Sequence, residues 1–521
     1  LYRKTLLLII ATPLLVFPPS YLLYKNFFAS TTPTQAADRL QFDSSVAPGE
    51  KQAIQDAVVA QSKTYRGSVN ASVKTSTSLD AAASGNPILS IYVPVAHVYD
   101  DRQSVARSEL SQTDVYLPAG TDSVVRAGVA EALGIGQESL KELSGPMEEL
   151  AGSAVAFIPA EQLSPQVKLL AFDGAYYLDS FTGGAVFRRA IFSGGGAGGL
   201  QGLVLSQYPA KDATLKVNMT GVTALTREMM RKLPSVGGAT FYSEKIGPFL
   251  ADADITHVSN EVSFKDGCAY STTRFCSPPE MIEALKASGV DLVELTGNHN
   301  NDVGSQYNTE TINLYHSLGW KTVGGGLNAA EAAKPYIADM KGSQVAFLAY
   351  NYADGPNSGA IATASSAGAN AFDFAKIEAD VATAKQQADF VIVDVQFWEC
   401  YAYPDGYVEF PECDVPIGQQ ESVFKQIADL GADMVIGSSA HQPQTYEIYG
   451  GKPIYYGLGN LYFDQTRWPG TERGIILTHY FAGGKLLQTK LSPTVYDKNF
   501  QTRLMTDPEA QYLLGRLQAA R

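Results

Sequence analysis

Six short runs rich in Val, Ile, Leu and Phe recur between residues 253 and 439, and helical patterns stand between most of them. The runs are ADITHVSNE (253–261), VDLVELTGNHN (290–300), GWKTVGGG (319–326), QVAFLAYN (344–351), DFVIVDVQFW (389–398) and ADMVIGSS (432–439). The helical stretches include PEMIEALKASG (279–289), YNTETINLYHSLG (307–319), IEADVATAKQQA (377–388) and QESVFKQIADLG (420–431). Strands alternating with helices build an α/β layer, because parallel neighbours need a crossover connection. The last runs, 445–460 and 474–493, are turned by Gly-Gly and read as hairpins. An α/β stretch followed by antiparallel strands suits a sandwich of two sheets covered by helices.

A smaller α/β unit with a mostly parallel sheet is expected upstream, over 86–210. Its strand-like runs are ILSIYVPVAHVYD (88–100), DVYLPAG (114–120), SAVAFIPA (153–160) and VKLLAFDG (167–174), with a helix at 123–135. It fades into SGGGAGGLQG (193–202); no Gly-Lys-Ser/Thr follows, so a flexible loop or linker fits better than a phosphate loop. Residues 28–85, rich in Ala, Ser, Thr and Gln, read as a low-complexity stalk with one helix near 51–61. The large unit spans 213–495, leaving 496–521 as a C-terminal tail. A chain of 521 residues exceeds one ordinary core, in keeping with this division.

Arg3 and Lys4 precede an apolar run over 5–24, long enough to cross a bilayer. Residues 1–27 are therefore expected to be a signal anchor, with a cleaved signal peptide as the alternative. The positive flank predicts a cytoplasmic N-terminus and an extracellular body, a single-pass protein of the cell membrane. The four cysteines suit export. Cys268, Cys276, Cys400 and Cys413 read most simply as disulfides 268–276 and 400–413, one of three possible pairings, with a four-cysteine zinc site as the rival. Lys and Arg total 39 against 53 Asp and Glu, a net charge of −14, which argues against nucleic acid as a partner.

Polar clusters close four of the strand-like runs: Ser259-Asn260-Glu261, Gly297 to Asp302, Gln396 to Glu399, and Ser438 to Gln442. The crevice beyond strand C-termini is where α/β sheets bind ligands. Carboxylate, imidazole and carboxamide groups converging there have the donor types that hold a cation. The plainer reading is that Asn, Asp, Ser and Gly are ordinary residues of turns after strands.

From about Leu215 to Pro493 the sequence resembles the CapA/PgsA family of bacterial capsule and poly-γ-glutamate synthesis proteins. The resemblance lies in GVTALTR (221–227), Asn260-Glu261, TGNHNNDVG (296–304) and AHQPQTYEIYGGKPIYYGLGNLYFDQ (440–465). It implies a metallophosphatase-like four-layer αββα sandwich. The unit at 86–210 is more faintly similar to the periplasmic-binding-protein-like domain of longer relatives. The implied role is synthesis or export of an anionic cell-surface polymer, in partnership with membrane-embedded machinery.

The sequence also departs from the family. The Asp of the opening Gly-Asp is Val222, the His of the His-Trp pair is Phe397, and Gly-x-His-Pro-His reads Gly437-Ser438-Ser439-Ala440-His441. What remains as a ligand set is Glu261, Asn298, His299 and His441, with Asp302, Asp394, Glu399 and Asp464 as nearby substitutes. That is too few for a two-metal centre and leaves room for one divalent cation, manganese or zinc, or for none. His299 and His441 are the candidate catalytic acid and base; Asn260, Gln442, Trp398 and Arg227 are the candidate substrate contacts. The four ligand candidates should share one ligand, with Val222 and Phe397 making one side of the cleft apolar. Three functions stay open: a degenerate-site polymer synthesis protein, a mononuclear metal hydrolase of phosphoester or amide bonds, and a catalytically silent binding module.

Overall fold

Strands of the large unit alternate in a way that assigns each residue to a layer. The computed structural model describes residues 40–60, 72–78, 88–150, 152–181, 187–194, 209–352, 358–397, 417–466 and 470–520. The apolar run 5–24, Trp398, Glu399, Cys400 and Cys413 lie outside the described residues. Among the described residues no helix is long and apolar enough to cross a membrane. The chain forms two units, 1–89 with 188–207, and 90–187 with 208–521.

In the first unit, the strand Ser72–Ser78 pairs antiparallel with Phe187–Gly194, from Arg188 opposite Ser78 to Gly194 opposite Ser72, and parallel with Gln41–Phe42. The helix Pro48–Ala60 buries Ile54 and Val58, one turn apart on one face. The stretch read as a stalk thus holds a helix and a paired strand, and the glycine run begins as the end of a strand.

Within the second unit, residues 90–187 contribute a mixed sheet rather than a mostly parallel one. Val115–Pro118 runs parallel to Leu140–Leu143 and Val155–Pro159, whereas Ile88–His97 is antiparallel to Val155–Pro159 and Val167–Leu169.

Residues 215–519 form the sandwich. Its elements are β1 (Leu215–Thr223), α1 (Arg227–Val236), β2 (Ile255–Asn260), α2 (Ile282–Ala287), β3 (Leu292–Glu294), α3 (Ser305–Ser317), β4 (Lys321–Val323), β5 (Tyr336–Met340), β6 (Ser343–Asn351) and α4 (Phe374–Ala384). There follow β7 (Phe390–Gln396), α5 (Ile417–Asp429), β8 (Met434–Ser438), β9 (Tyr446–Tyr449), β10 (Lys452–Tyr455), β11 (Asn460–Tyr462), β12 (Arg473–Ala482), β13 (Lys485–Tyr496), β14 (Thr502–Leu504) and α6 (Asp507–Ala519). One sheet has the order β4-β3-β2-β1-β12-β13-β14, with β11 also beside β1; the other has β5-β6-β7-β8-β10-β9. β1 to β4 run parallel, as do β6, β7, β8 and β10, while β12, β13 and β14 are antiparallel.

Three apolar layers follow from the two-residue period of strands. Val217, Met219, Ile255, Leu292, Phe347, Ile392 and Ile436 pack between the sheets. Val258 and Val293 face outward onto Met229 of α1, Leu285 of α2, and Ile312 and Tyr315 of α3. Val391, Val393 and Val395 face outward onto Ile377 and Val381 of α4 and Phe424 and Ile427 of α5. Helices outside two facing sheets make the αββα order. Residues 496–521 are not a tail: Leu513, Leu514 and Leu517 of α6 belong to the layer between the sheets. A capping box between Thr506 and Glu509 starts that helix, and Arg503 holds the Glu509 carboxylate.

Candidate functional site

Followed toward the C-terminal ends of the strands, the layer between the sheets turns from apolar to polar. On the same inner faces β2 reads Ile255, His257, Ser259, and the chain continues to Glu261. Likewise β3 leads from Leu292 to Glu294 and then Thr296, β6 from Phe347 to Asn351, β7 from Ile392 through Asp394 to Gln396, and β8 from Ile436 to Ser438. The change of chemistry opens a polar cleft over a hydrophobic base.

Gln396 is the hub of that cleft. Its buried Nε2 donates to Ser439 Oγ at 3.0 Å and lies 3.3 Å from Asn298 Oδ1 and 3.4 Å from Glu261 Oε1, while Ser438 donates to its Oε1. Glu261 and Asn298 are therefore brought together, through a residue of a polar strand-end cluster that the sequence reading gave no ligand or contact role. Phe397 does not face the cleft. Odd positions of β7 point outward, so its ring stacks on Tyr352 at 4.5 Å and meets Phe424 edge-on in the helical layer. Period two, counted from Ile392, is the signal that would have selected Gln396. Val222 is buried in an apolar cluster with Ala224, Val262, Phe275 and Phe463, which forms one wall without Phe397.

The two histidines meet that wall from opposite sides. His299 shares its Nδ1 with Asp302 Oδ2 at 2.8 Å and lies on Phe275, ring centres 4.4 Å apart. Phe275 N also donates to the Asp302 carboxylate, so Asp302 orients His299. His441 is buried, with Nδ1 2.9 Å from Asn460 Oδ1 and its ring 5.1 Å from Phe463. Against both phenylalanines rests Arg227, its guanidinium carbon 4.8 Å from the Phe275 ring and 4.4 Å from the Phe463 ring. Arg227 Nε donates to Asp464 Oδ1 at 2.7 Å, and Nη2 forms an ion pair with the same oxygen at 2.6 Å. The arginine side chain is 17% exposed. Asp464 thus serves the arginine and is not a substitute ligand.

The other candidates separate. Asn260 donates to Val262 O and to the Tyr315 hydroxyl, and accepts from Thr223, so it faces the helical layer and not a substrate. Gln442 is buried with its carboxamide beside Gly470. Cys268 and Cys276 are joined, closing the loop that carries Phe275. Backbone strain gathers here: Arg227 (φ +44°), Ser439 (φ +77°) and His441 (φ +55°) are three of the seven non-glycine residues with positive φ among the described residues. Such conformations cost of order 1–3 kcal/mol each and cluster at functional sites.

A dinuclear metal centre needs carboxylates and imidazoles converging on one point. Here a carboxamide N–H stands between the oxygens of Glu261 and Asn298. Among the described residues no three His, Cys, Asp or Glu are grouped to hold a metal ion. The residues do not fit such a centre.

Two sheets face to face, helices outside and a cleft at the strand ends define a metallophosphatase-like sandwich. Residues 216–465 match the family of the bacterial capsule synthesis protein PGA_cap. It is 24% identical over 276 residues to the capsule biosynthesis protein CapA of Bacillus anthracis, covering 51% of this chain and 64% of that one. To the PGA biosynthesis protein CapA of Bacillus subtilis it is 25% identical over 201 residues, 39% of this chain and 50% of the relative. The chain therefore spans half to just under two thirds of the length of these relatives. The calcineurin-like phosphoesterase YfkN of Bacillus subtilis superposes with a TM-score of 0.33 at 14% identity, over 59% of this chain and 99% of YfkN.

Proposed function

We propose that this protein acts at the cell envelope in the synthesis or export of an anionic capsule-type polymer such as poly-γ-glutamate, using the cleft to bind the polymer. The relatives named for capsule and PGA biosynthesis support the process. The observation that carries the binding role is Arg227. A guanidinium resting against two phenylalanine rings and fixed by the Asp464 carboxylate is preorganised for a further carboxylate. On a chain with net charge −14, such a local cation is what an anionic ligand requires. His299 and His441 flank it on the same rings. The apolar run 5–24, if it anchors the chain in the membrane, would hold the body beside the machinery that makes or moves the polymer.

The test is calorimetric titration of the full chain with γ-linked glutamate oligomers, at two salt concentrations. The wild type should bind, more weakly at high salt, and Arg227→Gln should lose affinity about tenfold or more, some 1.4 kcal/mol. Binding unaffected by Arg227→Gln in a folded variant would refute the role of the arginine. Phosphodiester hydrolysis with two bound metal ions per chain would refute the reading as a whole.

A further inference from the structure

The basic side of α1 does not end at Arg227. Arg231 stands four residues further along the helix and meets the same loop. Its guanidinium carbon lies 5.1 Å from the centre of the Tyr270 ring, and its side chain is 60% exposed. Tyr270 is itself 44% exposed. Two arginines of one helix thus rest on two rings of one loop, Arg227 on the buried Phe275 and Arg231 on the exposed Tyr270. The Cys268–Cys276 disulfide closes that loop around both rings. Each arginine is also held by one carboxylate: Asp464 pairs with Arg227, and Glu228 Oε1 accepts from Arg231 Nη1 at 2.8 Å.

The charge of this surface runs against that of the chain. Residues 227–236 carry Arg227, Arg231 and Lys232 against Glu228, and the loop 268–276 carries Arg274 and no acid. Lys232 Nζ donates to Lys498 O and Asn499 Oδ1. Arg274 donates through Nε and Nη2 to the backbone carbonyl of Asp302, at 2.8 and 2.5 Å, and pairs with no carboxylate among the described residues. Even with Asp302 and Asp464 counted beside Glu228, four cations stand against three carboxylates, where the whole chain carries 39 against 53. A local excess of this sign attracts an anion.

An exposed arginine contributes little to binding alone, but two at a fixed spacing suit a ligand that repeats its charge. Four residues of helix advance about 6 Å. In a γ-glutamyl chain five backbone bonds separate successive carboxylate-bearing carbons, about 6 Å when extended. We propose that Arg231 and Tyr270 form an outer subsite for a second carboxylate, so that the cleft takes a chain of regularly spaced carboxylates in preference to a single acid. The inference rests on the polymer reading above and adds to it a dependence on length. Arg227 holds one carboxylate and Arg231 the next. Once the first is bound, the second contact is intramolecular and strengthens binding without a new encounter.

NMR titration of the full chain with two probes tests the subsite. One is a γ-linked glutamate hexamer; the other is N-acetylglutamine, a single γ-glutamyl unit capped at both ends and bearing one carboxylate. Arg231→Gln should lower hexamer affinity about fivefold, the scale of an exposed ion pair, and N-acetylglutamine affinity far less. Tyr270→Ala should show the same selective loss, because the ring fixes the guanidinium. The effect of Arg231→Gln on the hexamer should shrink at high salt, since the outer contact is open to counterions. Both side chains are exposed, so the variants should fold as the wild type does. Equal losses for the two probes, or an unchanged hexamer affinity, would overturn the outer subsite and leave the Arg227 reading standing. A wild type that binds no hexamer would bring down both.

Discussion

Acidification should loosen this sandwich through two histidines that take no part in the cleft. His257 on β2 stacks with Phe347 at 6.5 Å, and His479 on β12 lies 6.3 Å from Tyr455 and 6.2 Å from Phe481. Both are buried, and His257 Nδ1 and His479 Nε2 have no hydrogen-bond partner among the described residues. Burial lowers both from the ordinary 6.5 to about 3, and the nearby His257 adds to the effect on His479. A depressed folded-state value means that their contribution is fully present above pH 6.5 and is lost as the pH falls toward 3. At about pH 5 an unfolded histidine has taken up its proton and the folded one has not, which costs about 2 kcal/mol per residue and about 4 kcal/mol for the pair. Burial raises the carboxyls of Glu294 and Asp394, which work in the opposite sense, so wild type alone does not isolate the histidines. The assay is urea denaturation by circular dichroism at about pH 7.5 and about pH 5, comparing wild type with His257→Leu/His479→Leu. Wild type should lose about 4 kcal/mol more than the double variant across that interval. Equal losses in the two proteins would show that the buried imidazoles are not what acid attacks.

Three further outcomes follow from packing. Gly459→Ala should destabilise by about 3 kcal/mol or more in thermal denaturation, because the residue sits at φ +70° and a Cβ would lie 2.5 Å from Arg473 O. Leu517→Ala should cost about 2–5 kcal/mol by chemical denaturation, since its side chain fills the layer between the sheets. Cys268→Ser/Cys276→Ser should cost roughly 2–3 kcal/mol and broaden the His299 resonances in NMR spectra, because the released loop carries Phe275.

The strands of the sandwich were legible because each is a short apolar run between helical patterns, and their polar ends marked the cleft. Layer assignment was the weaker step. Motif alignment put Phe397 at the place of a lost ligand, whereas the period of β7 turns it outward and delivers Gln396. Asn260 shows the same limit: type and position suit a ligand contact, but Tyr315 on α3 claims its amide. That contact joins residues 55 apart in the sequence and leaves no local trace. The C-terminal segment was misjudged because α6 is only weakly amphipathic, and its burial depends on a space that the two sheets create together. Asp394 read as a substitute ligand and Glu294 drew no reading, yet both are buried on inner strand faces.

The strand order has a consequence for how the chain reaches this state. β1, formed by residues 215–223, receives its antiparallel neighbour β12 only from residues 473–482, and the space between the sheets is filled by α6 from residues 507–519. Closure of such distant pairings is slow, because loop entropy is lost before the contacts form. At ribosomal speeds of about 5–20 residues per second, β1 waits on the order of ten seconds or more with one hydrogen-bonding edge exposed. The emerging polypeptide is therefore vulnerable to edge-to-edge aggregation during that interval, and a holding chaperone should improve its yield more than lowering the temperature of the finished protein.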